Sequence, residues 1–204
     1  MTARPRGRFI TFEGIDGTGK SSSLARVAAA LRQRFPDLVA TREETDGPAG
    51  QAVKESIARH ADPLATALLF VADRAAHAPE LRAHLEAGRH VLCDRYALST
   101  YAYQSVTLRG RLADPVGFLR RLHEPIGLEP DHTLLFVADP ERCVARTQRR
   151  GATTPYEKVA FLRDVQEAYV AISADVGHVR RLDAERPMGE VADDAVRIVS
   201  EWLG

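Results

Sequence analysis

The sequence predicts an α/β protein, a doubly wound five-stranded parallel sheet flanked by helices, built as one domain over residues 1–204. Three observations carry that expectation. Short β-rich runs alternate with longer stretches of helical periodicity, the pattern of βαβ units. A glycine-rich loop, Gly14 to Ser21, sits between the first such run and the first helix. Asp62-Pro63 and Asp139-Pro140 each place a capping acid before a proline, which marks a helix start.

Residues 8–13 read as the first strand. Beyond the glycine loop, Leu24, Val27, Ala28, Leu31 and Phe35 recur at helical spacing and give one apolar face. Residues 38–42 form a second strand. A long helix is predicted from Asp62 to about residue 87, closed by Gly88. Residues 90–94 and 132–137 are short apolar runs suited to strands covered on both faces. Residues 179–183 supply the last strand, and a helix over 187–202 follows. No internal repeat or low-complexity linker interrupts this order.

Composition narrows the function. The chain has 204 residues, enough for one sizeable core, and its 45% hydrophobic and 27% charged content fits a soluble globular protein. The 28 basic and 28 acidic residues cancel, which argues against a nucleic-acid coat or an acidic-membrane anchor. No apolar run approaches the ~20 residues of a membrane span. The basic start runs directly into a strand, without the apolar core of a secretory signal. The expected compartment is the cytoplasm, and the expected partners are small molecules. Cys93 and Cys143 lack metal-ligand spacing and read as core residues; the seven histidines are scattered and receive no role. Lysine occurs only at positions 20, 54 and 158, so arginine supplies the other 25 basic residues.

One of those lysines stands in the glycine loop. Gly14, Gly19, Lys20 and Ser21 satisfy G-x-x-x-x-G-K-[ST] directly after a strand and before a helix, the context the motif requires. Backbone N–H groups of Gly14, Ile15, Asp16, Gly17, Thr18 and Gly19, with Ser22 beyond them, can curl around phosphate oxygens, and the helix presents its positive end. Lys20 can bridge the β- and γ-phosphates, and the Ser21 hydroxyl can ligate Mg²⁺. Such loops serve GTPases, motor ATPases and small-molecule kinases. The chain contains no asparagine, so the Asn-Lys-x-Asp guanine signature is impossible. A small chain rich in arginine points to a nucleotide kinase, because arginine forks neutralise donor and acceptor phosphates.

A second constellation, Asp94-Arg95-Tyr96, follows a buried strand at the edge where an α/β sheet opens onto its ligand crevice. Asp94 can hold the water shell of Mg²⁺ there, and Arg95 can bridge two phosphates. Leu69-Phe70-Val71-Ala72-Asp73-Arg74 precedes it, and Ser99-Thr100-Tyr101-Ala102-Tyr103-Gln104 follows it. With Phe12 to Ser21, Thr41-Arg42-Glu43, Arg149-Arg150-Gly151 and Leu182-Asp183-Ala184 in the same order, the sequence resembles the thymidylate kinase family over nearly its whole length.

The resemblance implies an ATP:dTMP phosphotransferase using Mg²⁺. By position, Phe70 stacks on the pyrimidine, a contact worth about 1–3 kcal/mol; a pure core role is its alternative. Arg74 and Thr100 read the base edge, and Ser99 and Gln104 complete the pocket. Tyr103 crowds the sugar 2′ position and favours deoxyribose. Asp16 faces the acceptor, while Arg42 and Arg95 grip its phosphate and Arg95 follows charge into the transition state. Arg146, Arg149 and Arg150 belong to a mobile lid over about 146–157, with Arg150 against adenine, Asp183 and Ala184 flanking that base, and Tyr156 reaching the acceptor. Members with glycine at the Gly17 position tend to carry the catalytic arginine in the lid, here Arg149 or Arg150. The resemblance also implies a homodimer packed through helices, for which the apolar face of residues 64–85 is a candidate.

Two stretches depart from the family pattern. Glu44-Thr45-Asp46-Gly47 replaces the usual Pro-Gly-Gly-Thr, and Thr153-Thr154-Pro155 replaces an Asp-Arg pair in the lid. Glu43 and Glu157 read as solvated charges. The acceptor is therefore dTMP or a closely related pyrimidine monophosphate. A deoxynucleoside kinase and a divergent nucleotide-binding paralogue are the alternatives.

Overall fold

The computed structural model describes residues 5–148, 159–174 and 176–204. Its five strands are β1 Phe9–Glu13, β2 Val39–Arg42, β3 Val91–Asp94, β4 His132–Val137 and β5 Val179–Asp183. All pair in parallel, in the order β2-β3-β1-β4-β5, which is the doubly wound sheet that the sequence predicts. Arg8 and His90, expected inside strands, lie just outside them but still accept ladder bonds, from Val91 N and Val39 N at 2.9 Å.

The helices are α1 Lys20–Leu31, α2 Pro48–Ala58, α3 Pro63–Glu86, α4 Ala97–Thr107, α5 Pro115–His123, α6 Pro140–Gln148, α7 Val159–Ile172 and α8 Met188–Leu203, with a 3-10 turn at Glu124–Ile126. Asp62 caps α3 as its Asp-Pro pair predicts, accepting from Leu64 N and Ala65 N. Asp114-Pro115 repeats the device at α5, where Asp114 accepts from Gly117 N at 2.8 Å; sequence reasoning passed over this signal. Helices α2 and α4 start without a side-chain cap, although α2 has Pro48 at its first position.

The core forms around the three central strands. Phe9, Ile10, Phe12, Leu92, Leu134 and Leu135 are wholly buried, and Phe12 stacks on Phe136 with ring centroids 6.0 Å apart. Helix α1 packs against α8, and α4 packs against α5 and α7. Cys93 and Cys143 are free thiols inside this core, as expected from their apolar surroundings. Among the described residues no helix is long and apolar enough to cross a membrane.

Parallel pairing puts every strand's carboxyl end on one edge. The register sets Phe12 and Arg42 beside Asp94, Glu13 beside Leu135, and Val137 beside Asp183. The chain lays β2 and β3 on one side of β1 and β4 and β5 on the other. The crevice at such a switch point is where open α/β sheets hold ligands, and the glycine loop begins there. Because that edge depends on the central strands, truncation of Leu134 to Ala should cost about 2–5 kcal/mol, measured as a lower urea midpoint with an unchanged slope.

Candidate active site

The loop after β1 is built on backbone that side chains cannot follow. Gly14 and Gly17 have φ of 137° and 88°. A Cβ on Gly14 would lie 2.4 Å from the Phe136 carbonyl oxygen, and one on Gly17 would lie 2.3 Å from that of Cys143. The curl closes on Ile15, whose carbonyl accepts from Thr18 Oγ1 and from Lys20 Nζ, each at 2.9 Å. Lys20 is therefore buried within its own loop. Burial, and then the charge of Arg95, push its pKa down from 10.5 to about 8, against the pull of Asp16, Asp94 and Glu13. Helix α1 starts here without a side-chain cap, so its first N–H groups are left for a ligand.

Facing Lys20 is Arg95, in the turn between β3 and α4. Its φ of 69° is the left-handed conformation that a side chain rarely adopts, at a cost of about 1–3 kcal/mol. Three bonds hold it: Arg95 N donates to Phe12 O at 2.9 Å, Cys93 Sγ donates to Arg95 O at 3.0 Å, and Tyr96 N donates to Glu13 Oε1 at 2.8 Å. The guanidinium ion-pairs with Asp16 through Nη2. Its Nη1 reaches Gly14 O and Ser99 Oγ, each at 3.2 Å, and Tyr169 Oη at 3.4 Å. Tyr103 lies beneath it, ring centroid 5.1 Å from the guanidinium carbon. Burial alone would raise the Asp16 pKa; Arg95 and Lys20 more than offset that and hold its carboxyl below the usual range.

Asp94, at the end of β3, meets the loop from the other side. Its Oδ2 accepts from the Ser21 hydroxyl, while its buried Oδ1 has no hydrogen-bond partner among the described residues. A hydroxyl and a carboxylate in contact, with one buried oxygen unspent, fit a hard divalent cation such as Mg²⁺.

A buried charge network lies behind α3. Arg74 and Glu43 are 2% and 3% exposed and pair at 2.5 Å. Arg74 also donates to Thr100 Oγ1 at 3.1 Å and to His123 Nε2, and lies over the Tyr96 ring, 4.8 Å from its centroid. His123 accepts that bond because it is neutral: burial, then the charge of Arg74, push its pKa down to about 4, and its Nδ1 donates to Leu119 O at 2.7 Å. His77 donates from Nδ1 to Glu43 Oε1 at 3.1 Å and pairs through Nε2 with Thr41 Oγ1 at 3.2 Å. The expectation of a solvated Glu43 is thus corrected. Its partners lie on α3, 31 and 34 residues along, which no local pattern reveals.

The unusual 44–47 stretch is tied down by acids. Thr45 donates through N (2.8 Å) and Oγ1 (2.5 Å) to the two oxygens of buried Asp73. Asp46 Oδ1 accepts from both Arg42 (2.9 Å) and Lys54 (2.8 Å). Arg42, Asp46, the α2 start at Gly47 and Pro48, and Ser21 with Asp94 line a cleft of about 690 Å³.

The remaining expected residues divide. Thr100, Tyr103 and Gln104 are buried on α4, Phe70 is half-buried on α3, and Gln104 Oε1 and Arg74 Nε lack hydrogen-bond partners among the described residues. Arg146 lies on α6 and donates to Gly17 O and to Ala184 O, each at 3.3 Å, so it links the phosphate loop to the loop holding Asp183 and Ala184. Arg149, Arg150 and Tyr156 lie outside the described residues. Glu13, Asp73, His77, His123 and Tyr169 were missed. For Glu13 the available signal was an acid closing an otherwise buried strand.

A glycine loop curled on a buried lysine, opposed by a fixed arginine at the switch point of a parallel sheet, defines the P-loop phosphotransferases, and the arginine-lined side facing that loop suits a nucleoside monophosphate kinase. The chain belongs to the thymidylate kinase family, whose profile, described as "Thymidylate kinase", matches residues 12–195. Similar proteins include a probable thymidylate kinase of Methanosarcina mazei, 40% identical over 97% of this chain and 98% of its own. Another, from Natronomonas pharaonis, is 41% identical over 95% and 98%. A third, from Methanoculleus marisnigri, is 43% identical over 90% and 89%.

Removing the acid of the buried network should expose its importance. Glu43→Ala leaves the buried Arg74 guanidinium without its counter-charge, and a loss of about 3–5 kcal/mol in unfolding free energy is expected by chemical denaturation.

Proposed function

We propose that the enzyme transfers the γ-phosphoryl group of ATP to the phosphate of dTMP, giving dTDP and ADP. The observation that carries the acceptor half is the pair of buried groups Arg74 Nε and Gln104 Oε1, which lack hydrogen-bond partners among the described residues and flank Thr100. A buried polar atom left unpaired costs about 1–3 kcal/mol, so these two groups would favour a ring that offers a carbonyl to the arginine and an imide N–H to the glutamine. Thymine presents both, whereas cytosine presents an acceptor where the imide would be. Phe70 would supply the stacking face, and Tyr103 would pack against the sugar.

Lys20 would span the donor's β- and γ-oxygens from inside the loop, and Arg42 and Arg95 would receive the acceptor phosphate. Arg95 gains most as charge spreads over the transferred group, since its position is fixed before the substrates arrive. Ser21 and Asp94 would hold Mg²⁺, which when bound supplies positive charge for the phosphates. Arg149 and Arg150 would complete the charge over the donor, with Tyr156 at the acceptor and Asp183 and Ala184 beside adenine. A lid over about 146–157, of which residues 149–157 lie outside the described residues, a single domain over residues 1–204, a cytoplasmic location and a homodimer seated on α3, where Leu68 is 44% exposed, belong to the same reading.

Two measurements test it. In a panel of monophosphates and nucleosides with Mg-ATP, dTMP should release ADP and thymidine should not; ADP release with thymidine alone would make the chain a nucleoside kinase. Arg95→Ala should lower kcat about 10²–10³-fold with ATP affinity little changed.

The donor half makes a separate prediction. Lys20 has a pKa of about 8 in the free protein, and phosphate oxygens beside it would raise that value again. ATP binding at pH 8 should therefore take up a fraction of a proton, and at pH 6, where Lys20 is already charged, it should take up none at this group. Calorimetry in buffers of differing ionisation enthalpy reads this directly. Equal enthalpies at pH 8 in all buffers would exclude Lys20 as the titrating contact.

A further inference from the structure

We infer that Glu13, which precedes the phosphate loop, is a positioning residue for Arg95 and acts through Ser99 and Tyr169. This rests on the reading of Arg95 as the arginine of phosphoryl transfer.

Glu13 is wholly buried at the end of β1, and both its oxygens are engaged. Oε1 accepts from Tyr96 N at 2.8 Å, which pins the residue immediately after Arg95. Oε2 accepts from the Ser99 hydroxyl and from Tyr169 Oη at 3.4 Å. Ser99 Oγ and Tyr169 Oη stand 2.6 Å apart and are the same two oxygens that Arg95 Nη1 reaches. The direction of this chain matters. An ionised carboxylate can only accept, so Ser99 donates to it, Tyr169 Oη donates mainly to Ser99 Oγ, and oxygen lone pairs are left facing the guanidinium. A carboxamide in its place also brings donors. Its N–H groups would turn a hydroxyl proton toward Arg95, where donor meets donor.

The carboxyl does not itself carry the pairing with Arg95, which belongs to Asp16. Glu13 instead fixes the arginine twice, through its backbone turn and through the acceptors beneath its head group. Such placement matters because an error of about 1 Å in a reacting group can cost about 10²-fold in rate.

Groups from every neighbouring element face this carboxyl: Arg95, Tyr96 and Ser99 after β3, Arg74 on α3, Tyr169 on α7, Lys20 on α1 and Cys93 on β3. Burial is the largest influence and raises the pKa of Glu13 to about 7, with the Ser99 bond and the charges of Arg95 and Arg74 opposing it. Protonation below that pH puts a donor where only acceptors serve, so turnover should rise as pH passes upward through about 7.

The experiment compares wild type, Glu13→Gln, Ser99→Ala/Tyr169→Phe and the triple variant. The readouts are kcat, dTMP KM, ATP affinity, melting temperature and the pH profile of kcat. Glu13→Gln should lose about 10- to 100-fold in kcat while ATP affinity holds, and should lack the rise near pH 7. Titration of the acceptor phosphate is common to all variants and cancels. Because the carboxyl acts through the two hydroxyls, the triple variant should be no slower than the slower of its two parents. Wild-type kcat in Glu13→Gln, an unaltered pH profile, or losses that multiply in the triple variant would overturn the inference. If Glu13→Gln fails to fold, Ser99→Ala/Tyr169→Phe decides, and wild-type turnover there overturns it too. Failure of wild type to phosphorylate any monophosphate would instead sink the reading on which this rests.

Discussion

The ion pair between Arg95 and Asp16 is the contact around which the rest of the structure is arranged. On the proposed reading, a guanidinium at the carboxyl edge of the sheet must be held where phosphate would arrive, yet a fully neutralised one would have little left to offer. Here Asp16 takes one side of the head group and leaves Nη1 to uncharged oxygens, those of Gly14, Ser99 and Tyr169. The left-handed turn at Arg95 is the local cost of that placement, and bonds from β1 and β3 offset it. Stability and site geometry therefore share the same contacts.

Charge is distributed in advance across the crevice. Lys20, Arg95 and Arg74 are opposed by Asp16, Asp94, Glu13 and Glu43, and most of these groups are buried. Such an array loses little reorganisation energy when phosphate enters, because the dipoles already point at the place where charge develops. It also explains the depressed pKa of Lys20, an ammonium desolvated beside another cation. Anions that relieve this crowding bind with a favourable electrostatic contribution before any base is read.

What could be read from the sequence follows the range of each interaction. The glycine loop is a local object, with glycines, lysine and serine within eight positions of a strand, and it follows β1 and opens α1 as expected. Strands β3 and β4 were legible because burial on both faces writes a continuous apolar run. Helices α2 and α4 were not, and the Gly47-Pro48 start of α2 went unread. In the site, Arg95 could be nominated from Asp94-Arg95-Tyr96, but its partner Asp16 is 79 residues away and its partner Tyr169 is 74. Glu43 shows the same limit from the other direction. An acid among polar neighbours in a loop looks solvated until α3 folds across it and brings Arg74 and His77.

The substituted 44–47 stretch was the strongest reason to question the acceptor. Two carboxylates hold it, Asp73 from α3 and Asp46 within the stretch itself. Asp73 takes the backbone and hydroxyl of Thr45, so the loop is shaped by a carboxylate where the family uses glycines. Asp46 spends its charge on Arg42 and Lys54, and all three side chains are at least about one third exposed. Exposed ion pairs are worth about 0–1 kcal/mol, far less than a phosphate held between arginines in a partly dehydrated cleft. On the proposed reading, an incoming acceptor phosphate would take Arg42 from Asp46 at little cost, and Lys54 would stay paired with that carboxylate. The acidic substitution alters the resting partner of Arg42 without closing the site to an anion.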